Sequence, residues 1–195
     1  MKVSDFSYNL PNDLIAIHPP KVRGASKLLV LNRQTGEILD RTYSDVVEFL
    51  RPGDVVILND TRVMKSRLKV FKANGAEREL VVLERHAGDG DWHRHKVMYR
   101  GSLKLGEELA LARVTLAKVV VDELLGDGLA VVKSKTSLLE LTEKYGSPPL
   151  PPYMNRDATP ADIERYQTVF AHEQGSAAAP TASLNMTKEL LLKIQ

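Results

Sequence analysis

The sequence predicts an α+β protein in which a run of short antiparallel strands, residues 66–136, interrupts a frame of helices and strands. Three observations predict it. The hydrophobic period becomes two at Ser66 and stays so until Thr136. Helical signals bound that stretch on both sides. Ahead of it, VVILN at 55–59 is an unbroken apolar run ending at a polar DTR, the pattern of a buried strand that delivers a functional loop.

Each element has a local cause. KLLVLN (27–32) and residues 38–43 flank Gln34-Thr35-Gly36 and read as a hairpin. Ser44 can cap a short helix over 45–50, with Asp45 favourable in its first turn and Pro52-Gly53 as its stop. SRLKVFKA, RELVVLER, ARVTLAKVVVDEL and LAVVKSKT alternate apolar and polar residues, separated by Asn74-Gly75, Gly88-Asp89-Gly90 and Gly126-Asp127-Gly128. Asn-Gly and Asp-Gly tolerate positive φ, so these are hairpin turns, and the spacing suggests a small antiparallel barrel or sandwich. Ser137 and Glu140 form a capping-box pattern for a helix that Gly146 ends in a left-handed conformation. SPPLPPYM, with four prolines, is expected to be extended. Thr159-Pro160 starts the helix ADIERYQTVFA, and Thr187 caps a last helix over 188–195. That helix carries Leu190, Leu191, Leu192 and Ile194, which need a partner surface, so docking on the preceding elements or on another chain is expected.

Composition narrows the function. At 195 residues, 43% hydrophobic and 27% charged, the chain can bury a core as one domain or two small ones. No run of 18 apolar residues occurs, and Asp5 interrupts what a signal peptide would need, so a cytoplasmic protein is expected. The lack of cysteine excludes disulfides, thiolate metal sites and Cys nucleophiles. The five histidines match no metal-binding spacing, although His93 and His95 would share a strand face; no metal is expected. No GxGxxG or Walker loop occurs, against a Rossmann site or a P-loop hydrolase. Net charge is only +2, but residues 62–106 hold eleven Lys/Arg against five Asp/Glu, leaving −4 elsewhere. Such a strip suits phosphate contact, and a solvated strand face with alternating charge explains it equally.

Three polar clusters sit at element edges. Asn59-Asp60-Thr61-Arg62 follows the apolar run and is a hydrogen-bonded turn or a ligand site. Pro151-Pro152-Tyr153-Met154-Asn155-Arg156 is a stiff arm holding Tyr and Arg, suited to stacking a base and gripping a phosphate, or else a linker. The small-residue segment 175–185 lets backbone approach a ligand ahead of a helix, or is a flexible loop.

LNDTRV (58–63), LPPYMNR (150–156), ERYQTVFA (164–171) and GSAAAPTA (175–182) resemble, in this order, the signature blocks of the S-adenosylmethionine:tRNA ribosyltransferase-isomerases of queuosine biosynthesis. VSDFSYNLPNDLIA and SKLLVLNRQTGEI agree further, so the resemblance covers nearly the whole chain. It implies part of an α/β domain, residues 1–65 and 137–195, with a small antiparallel β-barrel inserted as 66–136. It implies a reaction in which the ribosyl part of S-adenosylmethionine moves onto 7-aminomethyl-7-deazaguanine at the tRNA wobble position, giving epoxyqueuosine while adenine and methionine leave. S-adenosylmethionine is then a substrate, no cofactor is needed, and tRNA is the partner.

On this resemblance the catalytic residues are Asp60, Arg62, Thr181 and Asn185, and the substrate-binding residues Asn59, Thr61, Tyr153, Arg156, Tyr166, Gln167 and Ser183. Nucleic-acid contacts fall to Arg67, Lys69, Lys72, Arg94, Lys96 and Arg100. The chain also departs from the family pattern. Ala182-Ser183-Leu184-Asn185-Met186-Thr187 stands where A-G-L-H-F-T is usual, Lys65 where a proline is, and Lys27 where an arginine is; the Lys-Pro-Gly run expected within 95–102 is absent. The family also continues past Gln195. The expectation is therefore a divergent or truncated member, with two alternatives: a non-catalytic tRNA-binding or regulatory paralogue, or a fragment completed by another chain.

Overall fold

The structure, a computed structural model, describes residues 1–195 apart from 87, 88, 90 and 112–115, and excluding the side chain of Gln174. It is an α+β protein built around a small closed antiparallel barrel. β1 (Lys27–Leu31) and β2 (Ile38–Thr42) form the expected hairpin, Leu29 opposite Asp40. Its turn is shaped by Asn32, whose Oδ1 accepts from the Gln34 and Thr35 amides. The following helix is a 3-10 segment, Tyr43–Phe49, that starts earlier than expected. Its cap is Thr42, not Ser44, because Asp45 accepts from the Thr42 amide at 2.9 Å.

VVILN is not a buried strand. β3 is only Thr61–Val63, and the run before it is bare, with Val55 85% and Ile57 90% exposed. A strand needs neighbours for its backbone groups and cover for both faces. Among the described residues nothing pairs with 55–58, and β3 pairs in parallel only with β10 (Glu173–Ser176), Thr61 opposite Glu173.

Between β3 and β10 in sequence lie the six barrel strands: β4 (Arg67–Phe71), β5 (Glu77–Val82), β6 (Arg94–Arg100), β7 (Glu108–Ala110), β8 (Lys118–Gly126) and β9 (Leu129–Lys133). Their order is β4-β5-β6-β9-β8-β7, closed by Phe71 opposite Ala110. Alternate residues point inward, so Leu68, Val70, Leu80, Val82, Val97, Leu109, Val119, Val121 and Val132 form a dry core. Gly75 and the Gly126-Asp127-Gly128 turn take positive φ, as the hairpins require. The Gly88-Asp89-Gly90 turn, and residues 112–115 of the ARVTLAKVVVDEL run, lie outside the described residues apart from Asp89. The expectation lacked β6 and β7 as ladder members: β6 reads RHKVMYR, whose charges mask an inward series of His95, Val97 and Tyr99, and β7 has only three residues.

α1 (Leu138–Tyr145) plugs one end of the barrel with Leu138 and Leu141. Its N-terminus is tied by the Leu138 amide donating to the Trp92 carbonyl at 2.8 Å, and the Ser137 hydroxyl makes no cap. Gly146 is extended (φ −85°), not left-handed. A glycine is required for closeness instead: a Cβ there would lie 1.9 Å from the Lys65 carbonyl oxygen. The close approach lets Ser147 and Arg67 exchange backbone hydrogen bonds at 2.9 and 3.2 Å.

The proline-rich arm is docked and bent. Leu150 is buried with Val63 and Tyr166, Pro152–Met154 form a 3-10 turn, and Asn155 is left-handed at φ 44°. α2 stops at Pro160–Arg165, well short of Ala171. α3 (Lys188–Ile194) is capped by Thr187, whose Oγ1 accepts from the Leu190 amide at 3.1 Å. It buries Leu190 beside the 3-10 segment and leaves Leu192 exposed. No helix among the described residues is long and apolar enough to cross a membrane.

Candidate functional site

A cavity of about 250 Å³ opens where the N-terminal segment, the arm, α2 and the small-residue loop meet. Thr181, Asn185, Tyr166 and Arg156 line it together, drawn from the small-residue segment, the C-terminal end of α2 and the arm. Ser183 shares the Thr181–Ser183 3-10 turn without being part of the lining. His18, Ser26 and Arg165 also line it, and sequence reasoning missed all three. Ser26 opens the family-like stretch SKLLVLNRQTGEI, yet nothing in the sequence singles out its hydroxyl or His18; only the chain's return at 181–185 brings the two to the site.

The floor is the Arg156–Asp162 pair. The guanidinium donates to both carboxylate oxygens at 2.7 and 2.8 Å, and its Nε donates to the Ile17 carbonyl at 2.8 Å. Asp162 also accepts from the Thr159 amide and hydroxyl at 2.7 and 2.8 Å, which completes the α2 cap. The Arg156 bonds, helped by Thr159, hold the Asp162 carboxyl well below the usual carboxylate range. Asp162 is therefore a fixed anion and no general acid or base, and Arg156 has most of its donors engaged inside the fold. Burial pushes the Tyr166 phenol up, so this residue keeps its proton and can serve as a donor.

The residues near β3 lie elsewhere. Arg62 lines a second cavity, about 380 Å³, with Lys65, Glu143, Glu164, Tyr166 and Gln167; of these Tyr166 alone also lines the first. Gln167 pairs with the backbone of β3, its Oε1 accepting from the Val63 amide at 2.9 Å and its Nε2 donating to the Val63 carbonyl at 2.8 Å. Asn59 Oδ1 accepts from the Thr61 amide, and the Thr61 hydroxyl donates to the Glu173 carbonyl. Asp60 is exposed and receives the His172 amide on its backbone carbonyl at 2.7 Å; Tyr153 is exposed on the arm.

Acids on β5 and β8, in the connections and at the end of the arm pair with the basic strip. Lys72 meets Glu107 at 3.0 Å and Lys69 lies 3.9 Å from Glu77 and Asp157. Arg94 pairs with Asp122 and Glu123, Lys96 with Asp89 at 3.6 Å, and Arg67 with Glu79 at 3.6 Å. Of the six residues Arg67, Lys69, Lys72, Arg94, Lys96 and Arg100, Arg100 alone is in no ion pair among the described residues, and it shares a third cavity, about 360 Å³, with Arg67, Asn155 and Arg156. His95 is buried in the barrel with Nε2 3.0 Å from the Leu83 carbonyl oxygen, while His93 is exposed, so the two do not face one site. No cluster of three or more metal-ligating residues occurs among the described residues.

Fold and site together describe a barrel-bearing α+β protein with a small cavity, apolar in most of its lining, where the N-terminal segment, the arm, α2 and the small-residue loop meet. The sequence profile of the family described as "Queuosine biosynthesis protein" matches residues 3–195, and the chain belongs to that family. It is 49% identical over 192 residues to the S-adenosylmethionine:tRNA ribosyltransferase-isomerase of Chlorobium phaeobacteroides, covering 97% of this chain and 54% of the relative. It is 43% identical over 195 residues to the enzyme of that name from Francisella tularensis subsp. novicida, covering 100% and 56%. A crystal structure of an S-adenosylmethionine tRNA ribosyltransferase from Thermotoga maritima aligns with a TM-score of 0.35 at 26% identity, over 97% of this chain and 53% of that one. The chain thus spans a little over half the length of these curated relatives.

Proposed function

We propose that this chain takes part in queuosine biosynthesis as the S-adenosylmethionine- and tRNA-binding part of a ribosyltransferase-isomerase. The reaction moves the ribosyl part of S-adenosylmethionine onto 7-aminomethyl-7-deazaguanine at the wobble position and yields epoxyqueuosine. The reading is carried by one observation: Arg156 of the arm, Tyr166 at the end of α2, and Thr181 and Asn185 of the small-residue segment converge on one cavity. Its volume of about 250 Å³ lies below the roughly 300–1,000 Å³ of whole small-molecule sites, which suits one moiety of S-adenosylmethionine.

In this reading residues 66–136 work as one unit beside a frame made of 1–65 and 137–195. The cavity holds the donor, Tyr166 donates a hydrogen bond to it, and Thr181 and Asn185 orient it. Arg62 faces the acceptor side, and Arg100, with Arg67, offers charge to the tRNA backbone. The setting is the cytoplasm. Asn185, where the family resemblance places a histidine, cannot exchange a proton near neutral pH, a loss worth roughly 10²–10⁴ in rate.

The test incubates the purified chain with S-adenosylmethionine and tRNA bearing the 7-aminomethyl precursor, followed by nucleoside digestion and mass spectrometry. S-adenosylmethionine binding with turnover at least ~100-fold below that of a full-length relative is expected. Absence of both binding and product would overturn the reading.

A further inference from the structure

The frame holds the loop before α3 at three points. Arg23 Nη1 donates to the Leu184 carbonyl at 2.7 Å, the Tyr43 hydroxyl donates to the Ala182 carbonyl at 3.2 Å, and Ser26 Oγ donates to Asn185 Oδ1 at 2.7 Å. The first two bonds engage backbone carbonyls and would fix the loop whatever residue stood at 185. The third grips the end of a side chain that lines the cavity.

Ser26 is itself fixed, because its carbonyl accepts from the Tyr43 amide at 2.8 Å, next to the Lys27–Thr42 pair that begins the β1–β2 ladder. An Asn side chain offers one acceptor oxygen and one two-proton donor. Ser26 fixes the orientation of the amide through Oδ1, and among the described residues Nδ2 makes no hydrogen bond, so it is the donor that Asn185 has left for the cavity.

We infer that Ser26 is a positioning residue of this site. It turns the Asn185 amide so that Nδ2 donates into the cavity, and thereby selects a ligand that presents a lone pair there, as a purine ring nitrogen does. This rests on the reading that the cavity takes one moiety of S-adenosylmethionine, and it assigns that moiety as the adenine. The hydroxyl is the determining feature: threonine can replace it, alanine cannot. An aspartate at 185 would keep the Ser26 bond yet face the ligand's lone pair with a carboxylate.

The experiment uses the full chain, ¹⁵N-labelled, with Ser26→Ala, Ser26→Thr and Asn185→Asp, and two probes, S-adenosylmethionine and adenine. The Asn185 side-chain amide signal is assigned by its loss in Asn185→Asp. Ser26→Ala should shift that signal and weaken both ligands roughly 3- to 10-fold, the worth of one oriented hydrogen bond. Ser26→Thr should restore both readouts, and Asn185→Asp should weaken binding at least as much as Ser26→Ala. An unmoved Asn185 signal in Ser26→Ala, or undiminished binding by Asn185→Asp, overturns the inference. If the unmodified chain binds neither probe while its Asn185 signal still responds to Ser26, the S-adenosylmethionine reading and the ligand assignment fall and the positioning contact stands.

Discussion

The barrel and the frame around it solve the same problem, satisfying backbone groups and covering apolar surface, by opposite means. In the barrel every strand has two neighbours, and the inward residues Leu68, Val70, Leu80, Val82 and Val97 are fully buried. The frame has two separate two-stranded sheets, and its most apolar run, 55–58, is open to solvent. It is held instead by side chains that reach across more than 100 residues of sequence: Arg23 to Leu184, Arg156 to Ile17, Gln167 to Val63. The lesson is one of where function can reside. A closed barrel leaves little to rearrange, whereas a frame tied by directed hydrogen bonds keeps polar groups near a cavity.

The largest expected effect breaks the frame at its strongest tie. Asp162→Asn removes the buried counter-charge of the half-buried Arg156 and should cost about 3–5 kcal/mol, read by urea denaturation. The same pair predicts a pH dependence. The Asp162 pKa is lowered in the folded protein, so its contribution is complete above the unfolded value of about 3.9 and is lost as pH falls below it. A frame equally stable at pH 7 and pH 3 would remove this contrast.

A smaller cost is expected in the barrel. Leu80→Ala opens a cavity in a core with no solvent contact and should cost about 2–5 kcal/mol, with hydrogen-exchange protection falling throughout β4–β9 and not in β1–β2. Uniform loss across both regions would mean that they unfold as one.

The smallest effect sharpens the comparison. Ile57→Thr, at a bare position, should change stability by no more than about 0.5 kcal/mol, as surface substitutions do. A cost above about 2 kcal/mol in the same denaturation series would show that the run is covered in solution.

Residues that act through their neighbours in sequence were legible from the sequence alone. Period-two alternation marked most of the barrel, Asn74-Gly75 and Gly126-Asp127-Gly128 marked its turns, and Thr187 marked the start of α3, because pleat, turn and cap are all set within a few residues. Four collinear blocks, LNDTRV, LPPYMNR, ERYQTVFA and GSAAAPTA, marked the family. Only the tertiary structure decided what depends on distant partners. It put Gly146 against the Lys65 carbonyl, engaged Arg156 with Asp162, divided Arg62 from Thr181 between two cavities, and brought Ser26 to Asn185. It also left VVILN bare. A hydrophobic run states what a segment can bury, and whether it is buried is settled by the strands and helices that come to lie beside it.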